Sequence, residues 1–244
     1  MAKAPGAGSI KTRLASVLTS QEANGLGCCF LHDMTANLRL AAERAPIDPY
    51  VAFAPAGSEA AFAGTVESGT GFVLADGSMP APAGVVGLGA CLLQAMSSLF
   101  ARGYCAVGLL NADSPNLPTA RLIEVARLLG SPGDRVVLGP AFDGGYYLIG
   151  TKAAHAGLFR SIDWSTQAVA ERTRVRAANL GLAVVDLEPW YDVDDAASLR
   201  MLVRDLQPVS PSGEAAYAAP ATRRFLEANR IADRLAAKLA DAGM

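Results

Sequence analysis

Tyr104-Cys105-Ala106-Val107-Gly108-Leu109-Leu110-Asn111-Ala112-Asp113-Ser114-Pro115 carries an almost wholly apolar run, Tyr104–Leu110, that stops abruptly at polar residues. So short a run without polar alternation predicts a strand buried on both faces, inside a sheet covered by helices. In open α/β sheets ligands gather at the carboxyl ends of strands. Asp113 therefore falls where a carboxylate is well placed to hold a hard cation such as Mg²⁺ or Mn²⁺. The competing reading of Asp113-Ser114-Pro115 is an ordinary turn or helix cap.

The segments on either side alternate between helical and extended patterns. Upstream, Thr19 and Glu22 have the spacing of a capping box for a helix to about Arg44, which Pro46 and Pro49 end. Tyr50–Ala54 reads as a strand, Ser58–Ala63 as a short helix, Phe72–Ala75 as a strand and Leu88–Arg102 as a helix. Downstream, Thr119 opens a helix to about Leu129, and Arg135–Leu138 and the apolar run Tyr146–Ile149 flank a turn. Thr166–Leu180 reads as a helix capped by Ser165 or Thr166, Ala183–Leu187 and Tyr191–Val193 as strands, and Asp195–Leu206 as a helix. Strands alternating with helices imply crossover connections and a mostly parallel sheet. Residues 1–206 read as one domain. Residues 207–221 contain three prolines and read as a linker, and the tail returns to helical spacing, expected to pack on the domain or on a partner chain as a homodimer.

Bulk properties exclude several classes. The 244 residues carry a formal net charge of −2 with dispersed basic residues, unlike the basic stripe of a general nucleic-acid binder. No apolar run reaches the roughly 20 residues of a membrane span, and the start lacks the apolar region of a signal peptide. Cys28, Cys29, Cys91 and Cys105 form no C-x-x-C pair and only two histidines accompany them, which argues against zinc. Reduced thiols in a cytoplasmic protein are the expectation, with Cys28, Cys91 and Cys105 in the core. His32 and His155 fall in helix-like segments without an obvious partner, and no Gly-x-Ser-x-Gly elbow occurs.

Four further constellations bear on chemistry. In Lys3–Leu14, Gly6 and Gly8 let the backbone approach an anion, and Lys11 and Arg13 add charge for phosphate oxygens. Ile10 stands where a Walker loop needs Gly before the Lys, which rules that loop out; the plain alternative is a Gly-rich turn. In Tyr191–Asp195, alternation would put Asp192 and Asp194 on one face, where a cation would relieve their repulsion, while Asp195 caps the next helix. In Gly139–Tyr147, Asp143, Gly144, Gly145 and Tyr146 make either a tight turn with core aromatics or a surface for a sugar or base. In Asp163–Thr166, Trp164 is either core or the wall of an acceptor pocket.

Taken in order, Ala2–Leu14 (AKAPGAGSIKTRL), Asp113–Pro118 (DSPNLP), Gly139–Gly150 (GPAFDGGYYLIG), Ile162–Thr166 (IDWST) and Trp190–Leu199 (WYDVDDAASL) resemble a bacterial family. It is the glycosyltransferase or transferase 1 family of the radical-SAM/selenodomain-associated type (DUF2064), within the nucleotide-diphospho-sugar transferase superfamily. Lys11–Leu14 is also similar to a segment of phospholactate guanylyltransferases. The resemblance implies a GT-A fold, a Rossmann-like three-layer α/β sandwich. It implies that Asp113 with Asp192 or Asp194 is the metal-binding set for Mg²⁺ or Mn²⁺. It further implies that Pro5, Gly6, Gly8, Lys11 and Arg13, with Gly144, Gly145 and Tyr146, bind the nucleotide, and that Asp113, Lys11, Arg13 and Asp143 serve catalysis. Family members have an apolar first strand before Ala-Lys-Ala-Pro, so the first strand here is expected to be truncated. Where the family has an acidic, Arg-containing helix start, this chain has Gly87–Cys91, which implies that a charged contact is absent. The function expected is metal-dependent glycosyl transfer from a nucleotide sugar to an unknown small-molecule acceptor. The alternatives are nucleotidyl transfer from an NTP with pyrophosphate release, or a non-catalytic nucleotide-binding module.

Overall fold

A computed structural model describes residues 1–5, 12–207 and 215–242. Among the described residues the strands are β1 (Ala2–Lys3), β2 (Tyr50–Ala54), β3 (Gly71–Leu74), β4 (Val107–Leu110), β5 (Arg135–Pro140), β6 (Tyr146–Thr151) and β7 (Ala183–Asp186). The helices are α1 (Ser20–Ala42), α2 (Leu88–Ala101), α3 (Thr119–Gly130), α4 (Val169–Asn179), α5 (Ala196–Asp205), α6 (Pro220–Ala228) and α7 (Ile231–Ala242). β1, β2 and β3 pair in parallel in that order. The second ladder runs β4-β6-β5-β7, with β6 antiparallel to both neighbours and β7 parallel to β5. The Met1 amine donates to the Leu110 carbonyl at 2.8 Å, so the start of the chain lies between β2 and β4.

Alternate residues of the strands serve opposite faces. Val136, Leu138 and Ile149 join Leu92, Met96 and Ala177 of α2 and α4. Val137 and Leu148, one position over, join Ala41 of α1 and Leu122, Val125 and Leu129 of α3. That is the period of two expected of a strand, with apolar residues at both phases because helices cover both sides. The architecture is the α/β arrangement expected, parallel except where β6 reverses.

Capping fixes the helix starts. The Thr19 hydroxyl accepts from the Glu22 amide while the Glu22 carboxylate accepts from the Thr19 amide, the reciprocal box read from spacing. Asp195 does the same for α5, accepting from the amides of Ala197 and Ser198. α4 differs from expectation: it starts at Val169, and neither Ser165 nor Thr166 caps it. The Ala170 amide there bonds to the Gly144 carbonyl and the Thr166 hydroxyl to the Asp163 carbonyl, so the segment before α4 is committed to turns. Ser58–Ala63 is a single 3₁₀ turn, Glu59–Phe62. Tyr191–Val193 is extended but not a strand: pairing stops at a bridge between Trp190 and Ala141, and the Val193 amide is taken by the Asp113 carbonyl. Cys105 is exposed because β4 begins two residues later, and Cys28 and Cys91 are half-buried rather than core. Both histidines have carboxylate partners, Glu67 for His32 and Asp134 for His155.

The two C-terminal helices pack on the same chain. Leu226, Ile231 and Leu235 join Leu26 and Phe30 of α1 and Leu199 and Leu202 of α5 in one cluster. Asp33, fully buried in the middle of α1, accepts from the amides of Ala221 (3.0 Å) and Thr222 (2.7 Å) at the start of α6. A buried carboxylate thus satisfies the orphan amides of a distant helix. Asp33→Ala is expected to cost about 2 kcal/mol, the upper end for lost caps, and to lower Tm by about 4–8 °C in a thermal melt. Asp33→Asn, which keeps one acceptor, should cost less.

Candidate functional site

The site gathers at the carboxyl end of β4. The loop leaving β4 is tied to the sheet by the Asn111 amide, which bonds to the Tyr147 carbonyl at 2.9 Å. It is tied to residues 190–193 by the Val193 amide, which bonds to the Asp113 carbonyl at 2.8 Å. Because β6 runs antiparallel to β5, the turn joining them returns at the end where β5 finishes, and Tyr147 at the start of β6 lies beside Asn111. The reversal therefore brings the turn carrying Asp143 to the rim that holds Asp113.

Asp192 is the pivot. Its Oδ1 accepts from Asn111 Nδ2 at 2.6 Å and from the buried Ser114 hydroxyl at 2.9 Å. Burial is the main reason that its pKa is raised from 3.8 to about 6; the Ser114 and Asn111 hydrogen bonds oppose the rise, and the charges of Asp113 and Asp143 add to it. Asp113, Asp143 and Asp192, which lie far apart in sequence, thus share one electrostatic neighbourhood. Asp194 lies on the same extended segment but is engaged with Arg13, Nη2 to Oδ2 at 3.0 Å. Among the described residues no three His, Cys, Asp or Glu side chains stand together as a metal-holding group. The pair Asp113 and Asp192 suits a hard cation of the Mg²⁺ kind, which is commonly bound by one or two carboxylates with phosphate oxygens and water completing the shell.

The rest of the rim is built by packing. Asp143 Oδ1 accepts from the Gly145 amide at 2.8 Å, a turn closed on itself. Gly144 sits at φ +89°, and a Cβ there would lie 2.0 Å from the Gln167 carbonyl oxygen, so this glycine lets the turn press against the start of α4. Tyr146 is partly buried, edge-on to Trp164 with ring centroids 6.5 Å apart, and burial raises its pKa. Trp164 leans on α2 at Gly89, where a Cβ would come within 3.1 Å of its ring. Pro5 is half-buried just after β1. Gly6, Gly8 and Lys11 lie outside the described residues.

Asn111 and Ser114 are the functional residues that sequence reading missed. Both were visible as polar groups directly after an apolar strand, but their partner is about 80 positions away. Asn116 plays a related part: its amide donates to the Tyr191 hydroxyl at 2.7 Å, which donates to Asp205 at 2.8 Å, anchoring the segment that carries Asp192.

A family model described as an uncharacterized protein conserved in bacteria (DUF2064) matches residues 37–166, more than half of the chain. The chain belongs to the DUF2064 family. No curated protein matches this DUF2064 member. Among solved structures it is similar to a crystal structure from Desulfovibrio desulfuricans G20, provisionally described as a nucleotide-diphospho-sugar transferase. Identity is 28% over 96% of this chain and 95% of that one, with a TM-score of 0.77. No described helix of the DUF2064 member is long and apolar enough to cross a membrane.

Proposed function

We propose that this protein is a metal-dependent transferase acting on an activated nucleotide, most simply moving a glycosyl group from a nucleotide diphospho-sugar to a small acceptor. The observation that carries the reading is Asp192, half-buried and held by Asn111 and Ser114 beside Asp113 at the end of β4. Like carboxylates crowded in a partly desolvated rim are unfavourable alone and become favourable around a divalent cation. The likeness to the Desulfovibrio structure supports the substrate class.

In this reading Asp113 and Asp192 would hold Mg²⁺ or Mn²⁺, which when bound screens the diphosphate and stabilises charge on the leaving group. Asn111 and Ser114 keep one Asp192 oxygen fixed, leaving the other for the cation. Arg13 is exposed and on a short turn, placed to leave Asp194 for a phosphate oxygen, where its planar fork suits two-pronged contact.

The test is incubation with a panel of nucleotide sugars, and separately with NTPs plus sugar phosphates, each with Mn²⁺ and with chelator. Metal-dependent release of nucleoside diphosphate, lost in Asp113→Asn with the far-UV spectrum unchanged, is the expected result. Pyrophosphate release from NTPs would replace the glycosyl reading with nucleotidyl transfer. Nucleotide binding without turnover, indifferent to chelator and to Asp113→Asn, would leave a binding module.

A further inference from the structure

Val86 and Leu88 at the start of α2, and Phe142 in the turn between β5 and β6, are large apolar side chains left 66%, 48% and 65% exposed. The two places are joined through Trp164, which packs on Gly89 of α2 and stands edge-on to Tyr146 at the start of β6. Neither helix nor turn chemistry asks for this exposure. α2 opens on Gly87 without a side-chain cap and without an acid in its first turn, although Ser, Asp or Glu there would stabilise it. Phe142 is the second residue of a turn closed by the Gly144 amide on the Ala141 carbonyl at 3.2 Å, a position that most polar residues fill equally well. Exposed apolar groups beside a polar rim mark a binding surface.

Charge narrows the occupant. No charged residue occurs from Gly77 to Ala90. Arg172 is paired with Asp163, and Arg160 lies with its stem beside Gly84 at the outer end of that segment. At the rim Asp113, Asp143 and Asp192 supply negative charge. An anionic body would be repelled at the rim and would meet apolar side chains along the rest of its length. We infer, building on the transferase reading above, that the acceptor is a small neutral alcohol with an apolar body, its hydroxyl turned to the carboxylates and its body lying on Val86, Leu88 and Phe142 around Trp164. In the transfer, the hydroxyl oxygen bonds to the anomeric carbon as the bond from that carbon to the diphosphate breaks, and that electron pair leaves with the nucleoside diphosphate. The hydroxyl proton goes to Asp143, which follows Phe142 and is held through Oδ1 by the Gly145 amide.

The probes are methyl and hexyl β-glucoside, alike in their hydroxyls, with glucose 6-phosphate as the anionic control. Calorimetry without donor should show the hexyl compound binding at least about 30-fold tighter than the methyl one, as expected for added methylenes about half covered. Leu88→Glu and Phe142→Ser should each weaken hexyl binding at least about 5-fold. Both variants should melt within about 2 °C of the parent, because both side chains are exposed. Val175→Glu, at an exposed apolar position on α4, should bind within about twofold of the parent. With Mn²⁺ and a nucleotide sugar, kcat/KM for glycosylation of the hexyl compound should exceed that of either other probe at least about 10-fold. Failure of the transferase reading would show as no turnover of any nucleotide sugar with the length-dependent binding intact, and would overturn the acceptor role. Equal binding of the two glucosides, an equal loss in Val175→Glu, or glucose 6-phosphate as the better acceptor overturns the inference while the donor chemistry stands.

Discussion

Asp192→Asn should give a protein that melts about 5 °C above the parent at pH 7.5, only about 1–2 °C above it at pH 5, and, under the proposed function, turns over nucleotide at least about 100-fold more slowly. The stability half of this expectation comes from the raised pKa. Burial, with Asp113 and Asp143 adding charge, lifts Asp192 from 3.8 to about 6 despite the Asn111 and Ser114 hydrogen bonds. Between those values the folded protein holds a proton that the unfolded chain has released. Stability therefore rises as pH falls through about 6, and the cost is fully present above it. Two decades of proton affinity correspond to about 3 kcal/mol. An Asn oxygen still accepts from Asn111 and Ser114, so recovering about 2 kcal/mol gives the shift, at about 2–4 °C per kcal/mol. The activity half rests on the proposed role of Asp192 as a metal ligand, because groups one step removed from a metal already cost about 10–100-fold when lost. Mn²⁺ should raise the parent's Tm and not the variant's, as ligand linkage requires. A variant that melts below the parent at pH 7.5 would show that the carboxylate is not held at a cost.

The second large effect is expected at Gly144. With φ at +89° and a Cβ 2.0 Å from the Gln167 oxygen and 2.6 Å from its carbonyl carbon, Gly144→Ala meets rigid backbone. It should cost more than about 3 kcal/mol, since strain and collision act together, and lower Tm by about 10 °C or more. The bond from the Ala170 amide to the Gly144 carbonyl would be lost with it, freeing the start of α4. Gly145→Ala is the comparison: its Cβ would meet first Asp143 Oδ1, a movable atom, at 3.1 Å. That variant should melt within about 1 kcal/mol of the parent. Equal melting of both alanine variants would contradict this account of the turn.

Local features were legible in the sequence and distant ones were not. The Thr19–Glu22 box and the Asp195 cap satisfy amides within three residues, so spacing alone determines them. The place of Asp113 was legible because an apolar run that stops at polar residues marks a strand end, three residues before it. The reversal of β6 was not, because a run that is apolar at both phases reads the same in either direction. The holding of Asp192 by Asn111 and Ser114 was not legible either, since nothing in residues 190–195 indicates which loop they cross. The shorter α4 and the exposed Cys105 have one cause: neighbouring turns claimed backbone that periodicity had assigned to regular structure.

The Arg13–Asp194 contact has a consequence for how anions are admitted. Its partners are 70% and 36% exposed, so it is a wet pair of small intrinsic worth. Any phosphate that recruits this guanidinium exchanges one anionic companion for another rather than capturing a spare cation. Added electrolyte weakens the contact being surrendered as well as the one being formed. Affinity at this position should accordingly fade more slowly with ionic strength than the number of charges in the rim would suggest.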